Sequence, residues 1–211
     1  MFKFLCMSFL SNALFVLILC FGCFFTSCKT GNIVMTKEEI YLIECAAPDI
    51  PFKVLQVSNP LDYIILRKKC TDIEEKDNKQ LKGLIERMKA TLKSESGVGI
   101  AAPQVGITRN IFLFVRVDKP EEPIEVAINP RITNHPDSTI CFEKDGCLSI
   151  QGISENSIRY PWIEVEYTNE EGKLIKERLE GYSRDGNFVA VIFQHEYDHL
   201  QGVLFTDKLC E

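Results

Sequence analysis

Basic residues are in the minority here, with 24 Lys and Arg against 30 Asp and Glu and a net charge of -6 at pH 7. No basic stripe runs along the chain, so the electrostatic footprint of a nucleic-acid-binding protein is missing. The chain has no internal repeat and no low-complexity linker. Its 211 residues, 45% apolar and 26% charged, suit one ordinary globular domain with an appendage. The nine cysteines do not form a disulfide framework. Four of them (Cys6, Cys20, Cys23 and Cys28) lie in the first 31 residues, and the other five are dispersed and odd in number. Cys141 and Cys147 are close enough in sequence for an oxidising compartment to pair them.

Histidine is scarce too: there are three, and two of them sit four residues apart in Gln194-His195-Glu196-Tyr197-Asp198-His199-Leu200. Residues i and i+4 lie one turn apart on one helix face, so both imidazoles can reach one metal ion. Glu196 leans over the same ion, placed to take a proton from water there. Only twelve residues follow His199, which leaves no room for a third ligand on a later helix. Gly202 matches the glycine of the H-E-x-x-H-x-x-G-x-x-H layout, but Phe205 stands at its last histidine and binds no metal.

A third ligand must therefore come from upstream, or the site is not metallic. Cys147, in Asp145-Gly146-Cys147-Leu148-Ser149, is the best candidate, since a thiolate with two imidazoles leaves a fourth position open. Taken alone, a cysteine is more often a small buried hydrophobe. His135 lies in Asn134-His135-Pro136-Asp137 and reads as an exposed turn residue. The stretch Gly97-Val98-Gly99-Ile100-Ala101-Ala102-Pro103-Gln104-Val105-Gly106 fits G-x-G-x-x-A in spacing, but a helical pattern precedes it where a dinucleotide loop needs a strand. Pro103 and the glycines instead indicate an extended, closely approached backbone.

In coarse outline, Leu81, Leu84, Ile85, Met88 and Leu92 mark a helix over residues 76–93. Residues 111–115 read as a short apolar strand, and 162–167 and 174–179 as a hairpin turning at Asn169-Glu170-Glu171-Gly172. The metal helix should span residues 187–201, with Gly202 as its stop. Residues 188–193 are apolar all round, which predicts a central buried helix. The expected fold class is α+β, with antiparallel sheets around that central helix.

Three segments in order, Gly97 to Gln104, Asp145 to Ser149 and His195 to His199, closely resemble the peptide deformylases, and the likeness runs from about Lys53 to Leu209. The chain departs from the family in three places: Asp145 where glutamate is usual, an early C-terminus, and a long apolar N-terminus. Asp145 shortens an outer carboxylate by one methylene without removing a ligand. The resemblance implies the same sheets around one helix, and hydrolysis of the formyl group from N-formylmethionyl peptides. It implies Cys147, His195 and His199 as ligands of one divalent metal ion, Fe2+ first, with Zn2+, Ni2+ or Co2+ able to replace it. It further implies Glu196 as general base, with Gln104 and the Leu148 N–H stabilising the oxyanion, and a substrate backbone added as a strand beside Gly99. Val191 and Ile192 share the helical face of His195 and, with Ile100, are candidates for the methionine pocket. A metallopeptidase, and a non-catalytic binding protein on the same fold, are the rival readings.

The appendage, residues 1–31, precedes a catalytic domain at residues 32–211. Lys3 is followed by an apolar run at residues 4–25, and Phe25-Thr26-Ser27-Cys28 resembles a lipoprotein cleavage box with Cys28 as the lipidated residue. The expected form is an exported lipoprotein held at the membrane, with an uncleaved anchor as the alternative. Translation from Met35 would instead make a cytoplasmic enzyme, and only that form would meet nascent chains at the ribosome.

Overall fold

The computed structural model describes residues 35–74 and 79–210. The apolar run and Cys28 lie outside the described residues. Among the described residues no helix is long and apolar enough to cross a membrane.

Strand pleating explains the layering. Successive side chains of a strand point to opposite faces, so an unbroken apolar run needs cover on both sides. Strand β2 (Ile111–Val115), the run Ile-Phe-Leu-Phe-Val, follows β1 (Gly99–Ala101) and precedes β3 (Ile124–Asn134), β4 (Ile140–Cys147), β5 (Ile150–Arg159), β6 (Trp162–Thr168) and β7 (Leu174–Glu180). Five strands form one antiparallel sheet in the order β1-β2-β3-β6-β7, and β4 and β5 pair separately. From β2, Ile111 and Leu113 pack with Leu84, Ile85 and Met88 of helix α3 (Lys79–Ser94), while Phe112 and Phe114 pack with Val189, Ala190 and Phe193 of helix α4 (Val189–Leu200). Two short helices, α1 (Lys37–Glu44) and α2 (Pro60–Leu66), come first.

This arrangement corrects the expectation of a central helix enclosed by sheets. The five-stranded sheet is the middle layer, and the helix carrying His195 and His199 is the C-terminal α-helix, laid on one face of it. The apolar front of that helix misled because it is buried by two different neighbours. Phe193 meets the ring edges of Phe112 and Phe114, with centroids 4.8 and 5.3 Å away, whereas Val191 and Ile192 border a cavity. Gly202 does end the segment, at φ +70°, and a Cβ there would run into the Arg67 carbonyl. The hairpin turn at 169–172 and the buried stripe of α3 are as expected.

Helix α1 is clamped to the sheet through one carboxylate. Thr36 and Glu39 form a reciprocal cap, the Thr36 N–H donating to Glu39 Oε2 at 2.8 Å and the Glu39 N–H to Thr36 Oγ1 at 3.2 Å. The same carboxylate accepts from Arg109, just before β2, at 2.8 Å, and both side chains are buried. Burial opposes ionisation of Glu39, but the Arg109 guanidinium and the backbone donors of Thr36 and Thr108 outweigh it and hold the carboxyl below its usual range. Removing one partner of such a pair leaves the other charge uncompensated. Glu39→Gln should therefore cost roughly 3–5 kcal/mol in urea unfolding. A depressed carboxylate stabilises fully above its ordinary value and loses that contribution as pH falls through the lower folded one. Between pH 5 and 3 the unfolding midpoint of wild type should fall more steeply than that of Glu39→Gln.

Candidate metal centre

Helix periodicity and one tight turn bring the ligand candidates together. His195 and His199 stand one turn apart on α4, their ring centroids 5.0 Å from each other. Cys147 ends β4, where the chain turns back into β5, and its Sγ lies 3.2 Å from His199 Nε2. One ligand atom from each of these three residues lies within 4.8 Å of the other two. Among the described residues this is the one cluster that could hold a metal ion. His135 stays exposed in its turn, its ring stacked on Tyr160 at 3.9 Å.

The outer shell orients the first imidazole. His195 Nδ1 donates to Asp145 Oδ1 at 3.0 Å, so its Nε2 is left for a cation. The shorter acid at position 145 thus still reaches its histidine. Asp145 Oδ2 accepts from Ser157 Oγ and from Arg159 Nη2, both at 2.6 Å. Burial works against the charged form of Asp145, but His195, Arg159 and Ser157 outweigh it and hold the carboxyl well below its usual range. Burial likewise opposes charge on His195, yet Asp145 raises its pKa well above the ordinary value. The same field favours any cation at Nε2, a proton or a metal ion. His199 goes the other way: burial and the charge on its neighbour push it well below the ordinary value.

Glu196 faces the same space. Burial pushes its carboxyl up to about 7, and its Oε2 has no hydrogen-bond partner among the described residues. A buried acceptor without a partner costs free energy unless something donates to it. Glu196 presses against β1 so closely that a Cβ on Gly99 would collide with its carboxylate and lie 2.8 Å from its Cγ. Glycine at 99 is thus required by close approach. Because β1 is an edge strand of the sheet, one side of its backbone has no strand partner among the described residues.

Gln104 is buried and doubly anchored. Its Oε1 accepts from the Ala101 N–H at 2.8 Å, and its Nε2 donates to Ser149 Oγ at 3.3 Å and to Cys147 Sγ at 3.5 Å. The Leu148 carbonyl accepts from Gln56 Nε2 at 3.0 Å. Beside these groups is a cavity of about 420 Å³, walled on its apolar side by Val98, Phe142, Leu148, Phe188, Val191 and Ile192. Val191 and Ile192 thus both border this cavity. Ile100 does not: it is fully buried in the core on the α3 side, because adjacent strand residues face opposite ways and Gly99 takes the Glu196 side. Sequence reasoning missed Gln56, Ser157 and Arg159, which carry no motif of their own, and the cavity residues Phe142 and Phe188. It also missed the Cys141–Cys210 disulfide, which leaves Cys147 a free thiol instead of the partner of Cys141.

A thiolate, two imidazoles, a buried carboxylate lacking a donor and an adjoining apolar cavity fit a divalent metal ion with water, the site of a metal-dependent hydrolase. The chain belongs to the polypeptide deformylase family, whose profile matches residues 51–211. It is 39% identical over 163 residues to peptide deformylase 2 of Nostoc sp., covering 74% of this chain and 84% of that one. It is 41% identical over 145 residues to the peptide deformylase of Thermotoga maritima, covering 69% and 81%. The crystal structure of Thermotoga maritima peptide deformylase superposes with a TM-score of 0.65 at 35% identity, covering 76% of this chain and 99% of that one. A Met-Ala-Ser-bound peptide deformylase from Acinetobacter baumannii gives 0.66 at 27% identity, over 76% and 99%. The shared fold is one of antiparallel sheets and a C-terminal helix. The protein is a metal-dependent hydrolase that removes the N-formyl group from N-formylmethionyl peptides and releases formate.

Asp145→Asn keeps the shape of the outer shell but removes the charge that orients His195. Metal retention against a chelator should weaken by about 10–100-fold, with far-UV circular dichroism unchanged.

Proposed function

We propose that Cys147, His195 and His199 hold the divalent metal and that Glu196 is the general base of deformylation. The bound metal supplies Lewis acidity that makes water nucleophilic near neutral pH. Glu196 takes the proton of the attacking water and returns it to the departing α-amine as the C–N bond of the formamide breaks. The products are formate and a free methionyl N-terminus. The Gln104 Nε2 and the Leu148 N–H donate to the oxyanion, each worth about 2.7–4 kcal/mol in the transition state. The free edge of β1 at Gly99 pairs with the substrate backbone, and Val191 and Ile192 receive the methionine side chain. The single observation carrying this reading is the juxtaposition of the Cys147–His195–His199 cluster with the buried, partnerless Glu196 oxygen.

A thiolate with two imidazoles suits Fe2+ and Zn2+ alike. We assign Fe2+ as the native ion, with Zn2+, Ni2+ and Co2+ as replacements. For residues 1–31 we propose a lipoprotein-type leader with Cys28 as the lipidated residue, and for residues 32–211 the catalytic domain. The Cys141–Cys210 disulfide favours an oxidising compartment over the cytoplasmic reading from Met35.

The test is formate release from formyl-Met-Ala-Ser by the full chain, purified without oxygen and loaded with ferrous iron or nickel. Wild type should turn over, and Glu196→Ala should lose at least about 100-fold, the scale of a missing general base. A Glu196→Ala protein as active as wild type would remove the proposed base. Gly99→Ala should lower kcat/KM by about 100-fold, because displacing Glu196 by a fraction of its length spoils the attack geometry. Membrane fractionation and the intact mass of the mature N-terminus check the leader, expected to begin at a lipidated Cys28.

A further inference from the structure

Asp198 and Lys208 have no part in the chemistry above, yet both are tied to it. Arg159 is almost fully buried between two carboxylates, donating to Asp145 from Nη2 and to Asp198 from Nη1, each at 2.6 Å. Asp198 has a second cation: Lys208 Nζ reaches its Oδ1 at 2.7 Å. Charges of alternating sign thus run from Asp145, the acceptor of the His195 Nδ1–H, through Arg159 and Asp198 to Lys208. Two carboxylates share one guanidinium through different nitrogens, and Lys208 gives Asp198, the one more remote from His195, a second cation. Without Lys208, Asp198 would draw Arg159 away from Asp145, the residue that orients His195.

Lys208 is held there by its backbone. The Ile158 N–H donates to the Lys208 carbonyl at 2.7 Å, and the Cys210 N–H to the Asn156 carbonyl at 3.0 Å. Leu209 bridges to Ser157 in antiparallel fashion. The tail therefore adds to β5, the strand that supplies Ser157 and Arg159 to Asp145. Cys210 closes it by its disulfide to Cys141 on β4, the strand that ends in Cys147.

We propose that Lys208 is a positioning residue for the His195 ligand, and that the Cys141–Cys210 disulfide keeps it in place. The proposal rests on the reading of Cys147, His195 and His199 as the metal ligands. Its consequence is that reducing the bridge loosens the metal without touching a ligand. Reduction by a phosphine returns both sulfurs to thiols, and the phosphorus is oxidised to phosphine oxide with oxygen from water.

The test uses the full chain loaded with Co2+, following metal loss to a chelator, the thiolate-to-cobalt absorption band, and kcat and KM for formyl-Met-Ala-Ser. Directly bonded outer partners are worth about 10–100-fold in metal affinity, so this more distant one should speed metal loss about threefold to tenfold in Lys208→Met. The band should shift, kcat should fall with KM nearly unchanged, and Lys208→Arg should restore all three. Cys210→Ser should match Lys208→Met, and combining them should add nothing further. If Cys210→Ser does not fold, wild type reduced by phosphine and reloaded after its removal serves in its place. Wild-type rates and band in Lys208→Met, or no rescue by Lys208→Arg, would overturn the positioning role while wild type still turned over. Failure of wild type itself to bind Co2+ or release formate would bring down the ligand reading and this proposal together.

Discussion

A guanidinium shut away from water decides how the catalytic half of this protein is assembled. Burying the Arg159 charge costs several kcal/mol even after relaxation, and only close, hydrogen-bonded partners offset it. Those partners are Asp145 from β4 and Asp198 from α4. Because Arg159 itself ends β5, the one charge fixes the separately paired β4–β5 strands to the helix that carries the histidines. It also holds Asp145 ionised, which sets the His195 tautomer. Structure and chemistry therefore depend on the same group.

The other half depends on apolar area. Strand β2 is buried on both faces, and the two helices that matter lie on opposite sides of it. Helix α4 brings Phe193 against Phe112 and Phe114, so the backbone that presents His195 and Glu196 is held by aromatic packing. Side chains packed at the density of a protein interior sit in rotamer minima with few voids to move into. This packing fixes the helix backbone beside the cavity that His195 and Glu196 border. On its other side Glu196 meets the Gly99 backbone, so the same carboxylate is confined by both the helix and the edge strand β1.

Local pattern carried much of this into the sequence. The i, i+4 histidines, the stripe of α3, the apolar run of β2 and the β6–β7 turn follow from helical and pleated periodicity, which a chain displays without folding. The three motifs together also made the family legible. The position of α4 was not: an all-apolar segment says that it is buried, but not by what. Ile100, a pocket candidate by sequence, is turned into the core instead, because it neighbours Gly99 on a strand and adjacent strand residues face opposite sides. Arg159, Gln56 and Lys208 belong to no motif, and the bridge from Cys141 to Cys210 spans 69 residues.

The sequence by itself determined the elements and the ligand types: which residues could bind a metal, which could accept a proton, and which segments must be covered. It did so because composition and short-range periodicity are properties of consecutive residues. Only the tertiary structure decided that Cys147 meets two histidines about fifty residues away, that the sheet and not the helix is the middle layer, and that a tail lysine stands at the end of the His195 charge chain. Those outcomes depend on pairing distant strands and on where buried charges find partners, and neither is written in any one stretch of the chain.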